Sequence, residues 1–176
     1  MTHIALLRGI NVGGKNKLPM KDLAALFTDA GAQAVRTYIQ SGNVLFDAPA
    51  KSASAVARQV AEAIQSRFGI SAPIVIRSAA ELAATIGANP FLKAGAAESS
   101  LHIGFLADMP NPAAVKGLDP ARSPGDSFEI IGREIFLHVP NGVARTKLTN
   151  AWFDSRLRAV STFRNWRTTL KLAELA

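Results

Sequence analysis

The sequence predicts an α+β protein in which a ferredoxin-like split βαβ half, with the order β-α-β-β-α-β, packs with a second, smaller α+β half that ends in two helices. The first observation is that short β-prone runs alternate with segments of helical spacing, in this order, over residues 1–79. The second is that residues 80–176 combine an alternating hairpin with two helical patterns at their end. We therefore expect a ferredoxin-like subdomain at 1–79 and a second subdomain, with the C-terminal helical pair, at 80–176.

Apolar spacing justifies the elements of the first half. Val56, Val60 and Ile64 recur at four-residue steps, which predicts an amphipathic helix that Gly69 closes. The turn at 41–43 joins two β-prone runs and therefore predicts a hairpin. The predicted elements are, in order, a strand over 3–8, a helix between Pro19 and Gly31, strands over 34–40 and 44–46, a helix over 52–68 and a strand over 73–77.

The second half has weaker periodicity. Ser78 and Glu81 have the spacing of a capping box and predict the start of a short helix, which Asn89-Pro90 stops. Phe91 and Leu92 are expected to be exposed in the loop that follows. The remaining predicted elements are a strand over 101–106, a helix over 112–118, a hairpin over 128–131 and 135–139, and helices near 146–157 and 163–175 with Thr146 and Thr162 as N-caps.

Composition sets the class of protein. The chain has 176 residues, of which 48% are hydrophobic, so a sizeable core is expected. It has no cysteine, which excludes disulfides, thiolate metal sites and thiol nucleophiles. Because no segment approaches the roughly 20 apolar residues that span a bilayer, we expect no membrane partner and a cytoplasmic location. The oligomeric state is left open.

Charge is unevenly distributed along the chain. The formal net charge is +7, and residues 1–78 hold 9 basic and 4 acidic side chains. Residues 79–144 hold 4 basic and 7 acidic side chains, whereas residues 145–176 hold 7 basic and 2 acidic ones. Basic ends indicate either an anionic partner or a charge match with the acidic middle of the chain.

Several catalytic motifs are absent. Gly13-Gly14-Lys15-Asn16 lacks the rest of a P-loop, and no dinucleotide fingerprint, HExxH or GxSxG pattern occurs. The three histidines, His3, His102 and His138, lie in separate predicted strands and match no metal-ligand spacing. We predict no cofactor and no metal site, and no general base can be identified, so whether the protein catalyses a reaction stays open.

The glycine loop, Gly9–Lys17, is the first candidate site. It leaves a predicted strand and enters a helix, and its glycines allow successive N–H groups to face one concavity. The helix N-terminus adds positive potential. Arg8, Lys15 and Lys17 add full charges, and Asn11 and Asn16 add neutral donors. This composition is typical of a site that binds a phosphate or carboxylate. It is also typical of a solvated crossover loop that binds no ligand.

Two further segments are candidates. The Ser41-Gly42-Asn43 turn is either part of the same site or a plain hairpin turn. At the C-terminus Lys147 and Asn150 share a face of the first predicted helix. In the second helix Arg164, Arg167 and Lys171 form a basic stripe opposite Trp166. Unless a ligand contacts these residues, Trp166 is expected to pack in the core and the basic stripe is expected to be solvated.

Four long motifs resemble those of the domain-of-unknown-function family 1697. They are Ala5–Met20 (ALLRGINVGGKNKLPM), Thr37–Phe46 (TYIQSGNVLF), Arg145–Asn150 (RTKLTN) and Thr162–Thr168 (TFRNWRT). The resemblance implies an α+β fold with a ferredoxin-like half and no established activity. It also implies ligand contacts at Arg8, Asn11, Gly13, Gly14, Lys15, Asn16, Ser41, Gly42, Asn43, Lys147, Asn150, Arg164, Asn165 and Trp166. Arg167 stands where the family often has an uncharged polar residue.

These observations favour a protein that binds, or acts on, a small anionic ligand such as a phosphorylated metabolite or nucleotide. The first alternative is non-sequence-specific nucleic-acid binding through basic loops, which the sequence pI near 10.3 favours. The strands do not favour it, because Phe46 is the only aromatic residue on the first and third strands and is expected to face the core. The second alternative is a protein-interaction module that uses Phe91 and Leu92.

Overall fold

A computed structural model describes residues 1–176 and divides the chain into two compact units. Unit 1 comprises Met1–Ala83 and Leu172–Ala176, and unit 2 comprises Ala84–Lys171. Each unit contains one four-stranded antiparallel sheet. The predicted α+β class is confirmed. Separate domains at 1–79 and 80–176 remain a prediction.

Unit 1 follows the predicted alternation of strands and helices. Its elements are β1 (Thr2–Leu7), α1 (Met20–Asp29), β2 (Gln33–Tyr38), β3 (Asn43–Asp47), a 3-10 turn (Ala50–Ser52), α2 (Ala53–Phe68) and β4 (Ile74–Ser78). The strand order in the sheet is β2-β3-β1-β4, with β1 antiparallel to both of its neighbours. Because β1 is central, the loop that leaves its end at Leu7 starts in the middle of the sheet.

The core of unit 1 forms where α1 and α2 pack on the sheet. Ala5 and Leu7 of β1 join Phe46 of β3 in one buried cluster, together with Phe27 of α1 and Val60 of α2. Alternate strand residues point to the same face, which explains the two-residue step in β1. Each fully buried large apolar side chain contributes roughly 1.5–3 kcal/mol. Phe46 is 1% exposed and lies in this core, as predicted.

The helix α3 (Ala79–Ala88) runs from unit 1 into unit 2. The Glu81 N–H donates to Ser78 Oγ at 3.2 Å, and the Ser78 N–H donates to Glu81 Oε2 at 2.7 Å. These reciprocal bonds are the predicted capping box. No helix in the chain combines the length and the apolar character that crossing a membrane requires.

Unit 2 is built around a second sheet with the strand order β6-β7-β5-β8. Its elements are α4 (Pro90–Lys93), a 3-10 turn (Glu98–Ser100), β5 (Leu101–Leu106), α5 (Pro112–Lys116), β6 (Ser127–Ile131), β7 (Glu134–His138), α6 (Asn150–Leu157), β8 (Ser161–Asn165) and α7 (Trp166–Leu175), of which residues 172–175 belong to unit 1. Phe153 of α6 centres an aromatic cluster on one face of the sheet, with ring centroids 5.4 Å from Phe128 and 5.9 Å from Phe163.

Three sequence predictions fail in unit 2. Residues 161–165 form a strand, so the last helix begins at Trp166 rather than at residue 163. The preceding helix begins at Asn150 rather than near 146, because Thr149 is its N-cap and accepts the Trp152 N–H at 3.3 Å. Phe91 is not an exposed loop residue: it lies in α4, is half-buried and stacks on His138 with ring centroids 5.7 Å apart.

Candidate functional site

The glycine loop, Gly9–Lys17, contains a tight turn at its tip. Val12 and Lys15 form an isolated antiparallel bridge, and the Lys15 N–H donates to the Val12 carbonyl at 3.0 Å. Gly13 (φ 57°) and Gly14 (φ 75°) are both left-handed, which glycine adopts without steric cost. An added Cβ at either glycine would meet nothing within 4 Å. The space over the tip of the turn is therefore open.

Two asparagines hold this turn in place. Asn11 Nδ2 donates to the carbonyls of Leu18 and Gln40, both at 2.9 Å, and its Oδ1 accepts the Leu18 N–H at 2.8 Å. Asn16 Nδ2 donates to the Gly9 carbonyl at 2.7 Å. Both residues are left-handed, with φ of 53° and 51°. Their amides stabilise the loop, and a donor role of either toward a ligand stays a prediction.

The Ser41-Gly42-Asn43 turn lies against the start of the glycine loop. The Leu7 N–H donates to the Gly42 carbonyl at 2.8 Å. An added Cβ at Gly42 would lie 2.8 Å from Leu7 Cβ and 3.0 Å from Ile10 Cδ1. Asn43 is fully buried, and its Nδ2 donates to the Tyr38 carbonyl at 3.1 Å and to Ser41 Oγ at 3.0 Å. The structure thus brings the first two candidate segments together within unit 1.

Positive charge is concentrated at this place. Residues 8–20 contain three cations, Arg8, Lys15 and Lys17, and no carboxylate. Both lysines are exposed, whereas Arg8 is half-buried and its backbone N–H donates to the Pro73 carbonyl at 3.0 Å. Exposed ammonium groups beside an open glycine turn can attract and hold an anion.

The candidate residues at 147 and 150 lie before and at the start of α6 in unit 2. Asn150 Nδ2 donates to the Ser161 carbonyl at 3.0 Å and to Ser161 Oγ at 3.2 Å. Asp154 Oδ1 accepts the Ser161 N–H at 2.8 Å and its Oγ–H at 2.6 Å. These bonds tie α6 to β8. Lys147 is exposed, and its backbone N–H donates to Ser123 Oγ at 3.0 Å.

The last candidate group lies at the end of β8 and the start of α7. Arg164 is 8% exposed, and its Nη1 donates to Thr162 Oγ1 at 3.0 Å and to the Phe163 carbonyl at 2.8 Å. Burial lowers the pKa of Arg164 to about 10, so it stays charged at neutral pH. Because Arg164 is buried and lies on a strand, the predicted solvated helical stripe of Arg164, Arg167 and Lys171 is wrong.

Asn165 and Trp166 differ from Arg164 in position. Asn165 Oδ1 accepts the Thr168 N–H at 2.8 Å, which makes Asn165, and not Thr162, the residue that caps α7. Arg164 and Asn165 point to opposite faces of the sheet, since they are consecutive on a strand. Trp166 is 1% exposed, as core packing predicts. The five candidate residues of unit 2 are thus spread over the loop before α6, the first residue of α6, two faces of β8 and the first residue of α7.

Sequence reasoning placed His102 in a strand but in no candidate site; in the structure it is the central-strand residue opposite Asn165. It lines two cavities of unit 2, of about 280 Å³ and 450 Å³. Burial lowers the pKa of its imidazole. Its only sequence signal is a polar residue within an apolar strand. No group of three or more His, Asp or Glu side chains is arranged to hold a metal ion.

The fold defines a mixed α+β protein built on two four-stranded antiparallel sheets. The chain belongs to the family described as "Protein of unknown function (DUF1697)", which matches residues 1–136. The first two family-like motifs lie within the matched residues, whereas those at Arg145–Asn150 and Thr162–Thr168 lie beyond them.

Solved structures share this fold, and one of them is a bacterial protein. The conserved bacterial protein SP0830 from Streptococcus pneumoniae superimposes with a TM-score of 0.72 at 22% sequence identity. The similarity covers 99% of this chain and 97% of that one. At this identity the likeness concerns the fold alone. A comparison with curated proteins finds no match.

Proposed function

We propose that the protein binds a small anionic ligand, such as a phosphorylated metabolite or nucleotide, at the glycine loop of unit 1. The observation that carries the proposal is the exposed lysine pair, Lys15 and Lys17, beside the open Gly13-Gly14 turn. The N–H groups of both glycines take no part in the backbone bonds that close the turn. They supply neutral donors next to the two ammonium charges.

Rigidity supports the same proposal. A loop that is already ordered loses little conformational entropy when it binds a ligand. Asn11 and Asn16 fix the turn through side-chain bonds to the backbone, and they do so without using either lysine. The Ser41-Gly42-Asn43 turn packs against the start of the loop, so its role in this proposal is to position the loop.

The proposal is one of binding and not of a specific reaction. The loop offers no carboxylate or histidine as a general base, so any chemistry there would rest on positioning and electrostatic stabilisation. Two cations of unit 2 were predicted to contact the ligand. Lys147 is exposed, whereas Arg164 is buried and donates to a backbone carbonyl of its own strand. We assign Arg164 to the stability of unit 2 rather than to anion capture.

Isothermal titration tests the proposal with pyrophosphate, AMP and glucose 6-phosphate. One of these is expected to bind, and Lys15→Ala should weaken it about tenfold, because a charged hydrogen bond contributes about 1.5 kcal/mol. Lys51→Ala is the matched control, since Lys51 is an exposed lysine of the same unit outside the loop. Equal affinities for the two variants, or no binding of any probe, would rule the site out.

Nucleic-acid binding is decided by the same titration. Neither strand that an RNA-binding sheet uses offers an exposed aromatic platform, because Phe46 is buried. Short RNA and DNA at 50 and 300 mM salt therefore serve as additional probes. Affinity that appears only for these polymers and disappears in high salt would replace the small-anion proposal with non-specific backbone binding.

A further inference from the structure

The two units share one topology. From β1 to β4 and from β5 to β8 the chain has the same order, β-α-β-β-α-β, and the strand orders β2-β3-β1-β4 and β6-β7-β5-β8 correspond one to one. A backbone bond also recurs at the end of the central strand. The Leu7 N–H donates to the Gly42 carbonyl at 2.8 Å, and the Leu106 N–H donates to the Arg133 carbonyl at 2.9 Å. Unit 2 therefore shows what this topology needs at each position of unit 1.

The glycine loop is an addition to the shared topology. In unit 2 the connection from the central strand β5 to α5 consists of residues 107–111. The equivalent connection of unit 1, from β1 to α1, runs over residues 8–19 and contains the whole glycine loop, Gly9–Lys17. Because the same arrangement of strands forms in unit 2 with the shorter connection, the topology does not require the longer one. The residues that the glycine loop adds are therefore available for binding.

Val12 is the exposed apolar residue of this loop. It is 63% exposed, whereas Ile10, the other large apolar residue of the loop, is 1% exposed. Val12 and Lys15 are bridge partners across the Gly13-Gly14 turn. Directly opposed residues of an antiparallel pair have their side chains on the same face, with Cβ atoms about 5 Å apart. An exposed apolar surface therefore lies next to the exposed ammonium group of Lys15.

A single exposed apolar side chain is common on protein surfaces, so its surroundings decide what it indicates. Met109, in the equivalent connection of unit 2, is 68% exposed. Residues 107–111 contain a carboxylate, Asp108, and no cation. In unit 1, by contrast, the exposed valine adjoins a cation and an open glycine turn. This combination fits a ligand that is anionic at one end and apolar at the other.

We propose that Val12 sets the specificity of the anion site by packing against an aromatic group that the ligand carries next to its phosphate. This inference rests on the proposed function, in which Lys15 and the Gly13-Gly14 turn hold the phosphate. The Val12 side chain lies within about 5 Å of the Gly13 N–H, because the two residues are consecutive. The aromatic group must therefore be joined to the phosphate through few atoms, as in an aryl phosphate ester. A sugar phosphate would place hydroxyl groups against the valine instead.

Methyl signals in a ¹H–¹³C NMR spectrum of the full chain test this contact. The probes are phenyl phosphate and methyl phosphate, which carry the same charge at pH 8 and differ in apolar area. Phenyl phosphate should move the Val12 methyl signals upfield with saturation, because of the ring current. It should bind about fivefold more tightly than methyl phosphate, the effect of covering roughly 40 Å² of apolar surface. This comparison uses the wild-type protein and needs no variant.

Two variants localise the contact. Val12→Ser assigns the Val12 methyl signals by their loss, and in it the ratio of the two affinities should fall from about five to about one. Met109→Ser is the matched control, since Met109 is an exposed apolar residue in the equivalent connection of unit 2. The fivefold ratio should persist in this control.

Three results would overturn the inference. Equal affinities for the two esters on the wild-type protein, both weakened by Lys15→Ala, would leave the anion site in place without an aromatic contact. A fivefold ratio that persists in Val12→Ser would show that the ring packs on another surface. Binding of neither ester would also overturn it, and the titration with pyrophosphate, AMP and glucose 6-phosphate then decides separately whether the proposed function fails as well.

Discussion

Asn11→Ala removes the side chain that fixes the glycine loop. The change deletes three hydrogen bonds to main-chain atoms, two from Nδ2 to the Leu18 and Gln40 carbonyls and one from the Leu18 N–H to Oδ1, together with a long contact of 4.0 Å from Nδ2 to Met20 Sδ. Each contributes roughly 0.5–1.5 kcal/mol, and water restores part of it because Asn11 is half-exposed, so about 1.5–3 kcal/mol is lost. Alanine at φ 53° adds about 1 kcal/mol of backbone strain that asparagine tolerates better. The free energy of unfolding should therefore fall by about 2.5–4 kcal/mol.

Urea denaturation followed by circular dichroism measures this loss, and amide hydrogen exchange localises it. Asn11→Gly deletes the same bonds without the strain, so it should lose about 1 kcal/mol less than Asn11→Ala. Asn16→Ala is the matched control, because Asn16 has a similar φ of 51° and a single side-chain bond. The Leu18 amide should exchange faster in both Asn11 variants. An Asn11→Ala loss no larger than that of Asn16→Ala, with unchanged exchange at Leu18, would refute the reasoning.

Three further predictions concern single positions. Gly42→Ala should cost about 2–4 kcal/mol in urea denaturation, because φ is +80° and Leu7 Cβ lies 2.8 Å from the added methyl group; a loss below about 0.5 kcal/mol would contradict this. Gly104→Ala should cost about 1–3 kcal/mol, because its methyl group collides with the Phe163 ring, and Phe163→Leu in the same chain should relieve the collision in part. His102 has a lowered pKa in the folded protein, so the unfolded chain takes up its proton first as pH falls below about 6.5, and stability should be lost there. Parallel stability–pH curves for the wild-type protein and His102→Leu would show that another group is responsible.

Local patterns were enough to predict most of unit 1. Val56, Val60 and Ile64 of α2 are all buried, as their four-residue spacing indicates. Gly69 ends this helix in the left-handed conformation (φ 67°), which a glycine after an apolar helical run predicts. These features succeed because the helical period and the C-cap depend on residues within a few positions of each other.

The strand β8 shows where local patterns fail. Ser161–Asn165 is five residues long and is followed directly by α7, so the helical spacing of Arg164, Arg167 and Lys171 extends the apparent helix backwards. The strand forms because it pairs with β5 over the register His102–Asn165 to Leu106–Ser161. That partner is distant in sequence, and pairing of this kind overrides local propensity.

The residue types of the candidate site could be predicted from the sequence, but the contacts that each residue makes could not. The glycines at 13 and 14 and the lysines around them mark the loop in the sequence, and the open left-handed turn agrees with that prediction. The sequence does not show that the Asn11 and Asn16 amides are already bonded to backbone carbonyls. Nor does it show the cavity at His102, whose walls come from β5 and α7 and carry no common motif.

Unit 1 is discontinuous in sequence, since Leu172–Ala176 belong to it together with Met1–Ala83. A polypeptide is synthesised from its N-terminus onward, so all four strands of unit 1 are made before residues 172–176. Unit 2 is translated in between as one uninterrupted stretch. An excised segment 1–83 would lack Leu172, which is 1% exposed in the folded chain. Synthesis therefore leaves unit 1 incomplete until all of unit 2 has been translated.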